Sequence, residues 1–301
     1  MGISMLTQGK RNEHGIALLL VLWMLIILIG IIGVFALIAT TERQQGKLLA
    51  RTVQARYAAE GGVDVATMRL SNTDPLLQWV PDNRVYKYTV DKTQIEIRAV
   101  DESGKVDINV ADADVINALL ISVGVDALEA QNITSAIMDW RDPDNLLTLP
   151  GGAEDPQYIS AKRPYGAKDG AFQTISELQQ VLGMTPELFA KLKPLITIYS
   201  GLNRPNPSFA PPEVLAALGL QAPQIAQLLA QREAWQPGMP VFTLPDGNPL
   251  ATGGTGTYSI SSLAIEPDGS RAEITATLRV GANGNFGQLY TPLAWRVGNN
   301  D

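Results

Sequence analysis

From Ile16 to Ala39 the chain runs 24 residues without a charge, IALLLVLWMLIILIGIIGVFALIA, apolar on every face of a helix. About 20 such residues cross the hydrocarbon core of a bilayer, so the segment is long enough to span. Lys10 and Arg11 precede it while Arg43, Lys47 and Arg51 follow, so the basic flanks leave orientation open. A cleaved secretory signal ends in small residues and gives way to a soluble protein. Here the pattern continues instead, with Leu48, Leu49, Val53, Tyr57 and Ala58 on one broad stripe. A helix over residues 16–70 would be roughly 80 Å long at 1.5 Å per residue, softened at Gly61-Gly62.

Composition removes several chemistries from the rest. There is no cysteine, so thiolate catalysis, cysteine zinc sites and disulfides are absent. The one histidine, His14, precedes the apolar run, which leaves a Ser-His-Asp mechanism without its base in the body. A net charge of -7 argues against a surface built for nucleic acid.

Beyond the first helix, the pattern is strand, then helix, then strand. Val85, Tyr86, Tyr88 and Val90, a turn at Asp91-Lys92, and Ile95, Ile97, Ala99 and Val100 predict a hairpin, followed by a third strand over Val106–Val110. Helical periodicity then holds from Asp112 to about Gln236. Three stretches each join two helices through a glycine: Gly124, Gly183 and Gly219. Each glycine is expected to end a helix in the left-handed conformation, with Val125, Met184 or Leu220 docking back. Residues 258–265, 272–280 and 288–296 return to strands. Gly253-Gly254-Thr255-Gly256 lacks a following lysine and helix, so it reads as a linker and not a phosphate loop. The fold class is α+β: a long N-terminal transmembrane helix, a small antiparallel sheet, and a large α-helical insertion between its strands.

Five carboxylates, Asp139, Asp142, Asp144, Glu154 and Asp155, crowd into 17 residues among prolines and glycines. Calcium takes six to eight oxygens from a loop able to wrap it, and Asp142-Pro143-Asp144 with Glu154 offers such a set. Asp139 on the preceding helix and Asp169 from the next loop are neighbours to consider. The same spacing also suits a solvated acidic loop whose carboxylates cap helices, or a glycosidase acid–base pair.

A short basic leader ending in Gly15, cut before an apolar helix, resembles the type IV pilin class. Most of that class has glutamate at the fifth mature position, where this chain has Leu20. The minor pseudopilins of the type II secretion protein K family lack it. A buried carboxylate in lipid is kept only if it meets a partner, and a subunit at a filament tip has none above it. Three further passages resemble that family: Gly104-Lys105-Val106-Asp107-Ile108-Asn109; Met138 to Asp144 (MDWRDPD) with Gly151 to Asp155 and Tyr158; and NPSFAPPEVLAAL from Asn206, which departs from the pattern at Phe209. An ordinary signal anchor, with Gly15 there by chance, is the competing reading of the leader.

The resemblance implies a prepilin leader over 1–15, a transmembrane helix over 16–40, the rest of the long helix and first strands over 41–110, the insertion over 111–255, and returning strands over 256–301. It implies cleavage by prepilin peptidase between Gly15 and Ile16, with methylation of the new amine. It further implies an inner-membrane anchor with a periplasmic body, and a tip complex with minor pseudopilins of the I and J types that caps the pseudopilus. No catalysis and no nucleic-acid partner are expected from it. Structural calcium in the helical region is implied too, assigned to Asp142, Asp144, Glu154 and Asp155. The alternative is a membrane-anchored DNA receptor, because the glycine-centred repeats also resemble helix-hairpin-helix units. Each hairpin here has one glycine and few basic neighbours, mainly Lys191, Lys193 and Arg232.

Overall fold

The computed structural model describes residues 14–251, 254–281 and 289–298. Leader residues 1–13, Gly253 and most of the Gly281 to Gly287 link lie outside the described residues. The chain divides into two compact units, Met1–Gln54 and Ala55–Asp301.

Helix α1 runs unbroken over His14–Leu70, through Gly61-Gly62. In the first unit its large apolar side chains, Leu18 to Ile38, are all exposed. A helix this long and apolar fits a single-pass membrane anchor. In the second unit the character of α1 changes. Ala55, Ala59, Val63, Ala66 and Leu70 recur every three or four residues and are fully or almost fully buried. Ala59, Val63, Ala66 and Leu70 pack on Ile95, Ile97, Ile260, Ile274 and Leu278 of a sheet. Gly62 stands at the tightest approach, where a Cβ would overlap the Ser262 hydroxyl and touch Ile95 Cγ2 at 3.0 Å. Small residues let the helix lie close to the strands.

That sheet has five antiparallel strands in the order β1(Asp82–Val90), β2(Thr93–Asp101), β5(Thr257–Ile265), β6(Arg271–Val280), β7(Tyr290–Val297). The hairpin turns at Asp91, which adopts φ 53°. Strand β2 alternates buried and exposed residues along its length, with Ile95, Ile97 and Ala99 directed at α1.

Between β2 and β5 lie α2(Ala113–Ser122), α3(Ala127–Arg141), α4(Asp155–Ser160), a 3-10 helix over Ile175–Gln180, α5(Pro186–Leu192), α6(Pro212–Ala217) and α7(Ala222–Ala234). These surround a second core that includes Ile116, Leu119, Ile133, Ile137, Leu215 and Leu228. Gly124 and Gly219 end α2 and α6 with φ of 95° and 92°. Val125 N–H then donates to Leu120 O at 3.1 Å and Leu220 N–H to Leu215 O at 3.1 Å, closing the helix ends as expected. Gly183 is left-handed too, but the element before it is the 3-10 helix and not an α-helix.

The third strand differs from expectation. Only Val106 and Asp107 are extended (β3), and they pair in parallel with β4(Ile196–Thr197), apart from the five-stranded sheet. Val106 and Ile108 are drawn into the helical core. Asp107 turns the chain away, its carboxylate accepting from the N–H groups of Asn109 and Gly201.

One arginine ties the helical part to the sheet, and a second braces the helical part behind it. Arg84 of β1, paired with Asp82 at 2.7 Å, donates to the carbonyl oxygens of Arg232 and Trp235 at the end of α7. Arg232, itself buried, donates to those of Ala210 and Pro207. A cation at a helix C-terminus meets the negative end of the helix dipole, so Arg84 fits the position electrostatically.

Candidate metal centre

The acidic residues sit where α3 ends and α4 begins, joined by a loop shaped from within. Asp139 lies on the last turn of α3 and is 0 % exposed. Its two oxygens accept from Thr148 N–H at 3.0 Å and Ala153 N–H at 2.7 Å, pinning both limbs of the loop to the helix. Gly152 passes so close that a Cβ there would overlap Asp139 Oδ2 and the Thr148 carbonyl. Below lies an aromatic cluster, with Trp140 5.8 Å from Tyr158 and 6.2 Å from Phe172 between ring centres. Trp140 is therefore a packing residue.

Asp142 follows as the C-terminal cap of α3, and Asp144 is two residues on. Glu154 returns at the start of α4, where Gln157 accepts its N–H at 3.1 Å. One oxygen from each of Asp142, Asp144 and Glu154 falls within 4.8 Å of the others. Asp155 is not part of this group. It is exposed on the first turn of α4, with Oδ1 against Gly166. One step along a helix turns a side chain by about 100°, so Glu154 and Asp155 are not expected on the same side.

The group is electrostatically unfinished. Glu154 is 2 % exposed, yet neither carboxylate oxygen has a hydrogen-bond partner, and Asp142 Oδ1 is buried without one. Among the described residues no lysine or arginine pairs with any of the three. Arg141, the nearest in sequence, commits its guanidinium to the carbonyl oxygens of Ile108 and Ala111. Burial pushes the Glu154 carboxyl up to about 7, helped by the charges of Asp139, Asp169, Asp142 and Asp144. Asp142 is raised as well, first by burial and then by Asp144. Asp169 thus acts on the group through its charge. Buried carboxylates facing each other without donors suit a hard cation with oxygen ligands.

A pH dependence follows for the metal-free protein. A raised carboxyl favours its protonated form in the folded state, so folding stability falls as pH rises from about 4.5 to about 7. In a chelator, the thermal midpoint should rise by a few degrees when pH drops from 7.5 to 6, and Glu154→Gln should flatten the response. Glu177, held low by Lys168 against the effect of burial, works in the opposite sense but below that window. A wild-type response equal to that of the variant would refute the assignment.

The family model of type II secretion system protein K matches residues 93–201, a span that includes all three carboxylates. A relative from Klebsiella pneumoniae, type II secretion system protein K, is 27% identical over 255 residues, covering 75% of this chain and 77% of its own. Another protein K, from Pectobacterium carotovorum subsp. carotovorum, is 36% identical over 84 residues, 28% of this chain and 25% of the relative. Over these spans the chain is similar to type II secretion system protein K. Its fold also matches a chain in the crystal structure of the GspK-GspI-GspJ complex from enterotoxigenic Escherichia coli. That match has a TM-score of 0.55 and 17% identity, covering 87% of this chain and 99% of the other. That likeness agrees with the single apolar helix and the mixed α+β body.

The sequence pattern identified Asp142, Asp144 and Glu154 as a group. It did not distinguish Asp155 from them, because the rotation of α4 is set by how Tyr158 packs beneath it. Asp139 was readable as helical, but its double acceptor role depends on a loop that closes only in three dimensions.

Proposed function

We propose that this chain is the minor pseudopilin that caps the tip of a type II secretion pseudopilus, joined there to minor pseudopilins of the I and J types. The observation behind this reading is that α1 is apolar and exposed from Ala17 to Ile38, then buries its last turns in the sheet. One helix thus provides both a membrane anchor and the core of the body. Apolar residues Leu48, Leu49, Val53 and Tyr57 stay exposed between those stretches, a stripe suited to neighbouring helices. The helical insertion beside the sheet would obstruct a subunit stacked above. Prepilin peptidase would release the leader at Gly15-Ile16, and the body would stand in the periplasm on an inner-membrane anchor. The glycine hairpins favour this over a DNA receptor: the Val125 and Leu220 N–H groups are already bound to carbonyl oxygens of their own helices.

The test is the intact mass and N-terminal sequence after co-expression with a prepilin peptidase. A mature chain beginning at Ile16 with one added methyl group is expected. An uncut chain would remove the pseudopilin reading. Co-expressed I and J types should then copurify with the mature chain, and Leu49→Glu with Val53→Glu should release them.

Calcium is the cation proposed for the carboxylate group. Asp142, Asp144 and Glu154 would hold it, with further oxygens from the surrounding loop. Asp155 is kept in the proposal only as an outer charge. The ion would neutralise the three carboxylates and fix the α3–α4 loop; its role is structural.

A further inference from the structure

A cavity of about 640 Å³ opens between the helical part and the sheet, away from the carboxylate group. The 3-10 helix and α5 form one wall; β5, β6 and β7 form the other. This volume is ordinary for a ligand site and well above that of a single inorganic anion.

The charges on its walls do not balance. Glu102 is the one carboxylate lining it, and Glu102 is already saturated. Its oxygens accept from Lys105, from the Ser259 hydroxyl at 2.6 Å and from the Thr197 hydroxyl. Lys105 is committed to that pair. Lys193 and Arg296 line the same cavity with no ion-pair partner among the described residues. They come from different elements, the end of α5 and the edge strand β7. The cavity therefore has two unpaired cations in a chain whose net charge is -7.

Its neutral groups point the same way. Arg296 acts electrostatically on Tyr199, whose hydroxyl is raised chiefly by burial, so the guanidinium and the phenol face a common space. Phe189 and Leu293 supply apolar contact. A concave site with one sign of charge and low-dielectric walls focuses its field, and guanidinium pairs well with carboxylate.

We infer that this cavity is a binding site for an acidic peptide segment, its carboxylates held by Lys193 and Arg296. Two cations on separate elements, with apolar surface between them, suit a chain with spaced carboxylates better than a compact anion. The inference stands apart from the pseudopilin reading, since it rests only on this cavity.

The experiment is fluorescence anisotropy of fluorescein-labelled tetraglutamate titrated with the full chain in nonionic detergent. Saturable binding that weakens with added salt is expected, at least about tenfold weaker for Lys193→Glu with Arg296→Glu. Both side chains are exposed, so the double variant should keep its circular dichroism and thermal midpoint. Should it not, Lys193→Gln and Arg296→Gln, each expected to weaken binding several-fold, take its place. Absence of saturable binding, or equal binding by the variants, would overturn the proposal. Displacement of the peptide by inorganic phosphate at equal charge concentration would overturn the peptide assignment.

Discussion

Glu154→Gln is expected to abolish stabilisation by calcium and, in a chelator, to make the protein more stable than the wild type. The two effects have opposite signs and one origin. In the metal-free wild type, a carboxylate that is 2 % exposed and without a donor faces Asp142 and Asp144. Removing its charge relieves both desolvation and repulsion. With calcium bound, the same charge is what holds the ion. A ligand that binds only the folded state at 100 times its dissociation constant adds about 2.7 kcal/mol. In a domain of this size that corresponds to a shift of several degrees, readable by calorimetry with and without calcium. Asp155→Asn should leave the calcium shift unchanged, because that side chain stands outside the group. If Asp155→Asn removes the shift and Glu154→Gln does not, the ligand set is wrong.

Gly62→Leu is expected to cost stability on the order of 3 kcal/mol or more, by forcing α1 off the sheet. Added atoms at Gly62 would meet Ser262 and Ile95, both on strands at the centre of the sheet and buried against the helix. Neither the helix nor the strands can yield without opening the contacts of Val63 and Ala66. Gly61, next to it, has nothing within 4 Å of its Cβ position, so Gly61→Leu is the control and should be nearly neutral. Denaturant melts of the full chain in detergent distinguish the two. Equal midpoints would mean that the close packing contributes little to stability.

Much of this architecture was legible in the residues. The uncharged run from Ile16 announced α1, and the alternation around Asp91-Lys92 gave the hairpin with its turn in place. Gly124 and Gly219 marked helix ends because only a residue free to adopt positive φ closes them so cheaply. What stayed hidden depended on distant partners. Strand β3 is two residues long, too short for any alternation to show, and its partner Ile196 is 90 positions away. Arg84 looked like an ordinary strand residue; its role arises from where α7 happens to end. Leucine and valine near Gly183 fit a helix as well as the 3-10 turn that forms, and tertiary contacts decided between them.

The position of the insertion has a kinetic consequence. Strands β2 and β5 are neighbours in the sheet, and Asp101 is directly opposite Tyr258 in the pairing. In terms of the sheet alone, everything between them is the loop of a hairpin, more than 150 residues around. Closing so long a flexible loop would cost about 4–5 kcal/mol in chain entropy before any strand contact compensated it. A folded insertion shortens that search. Its two ends already meet, with Asp101 accepting from the N–H of Thr255 at 2.6 Å and from its hydroxyl at 2.7 Å. The helical part should therefore collapse first, and the central strands zip together across the gap it has closed.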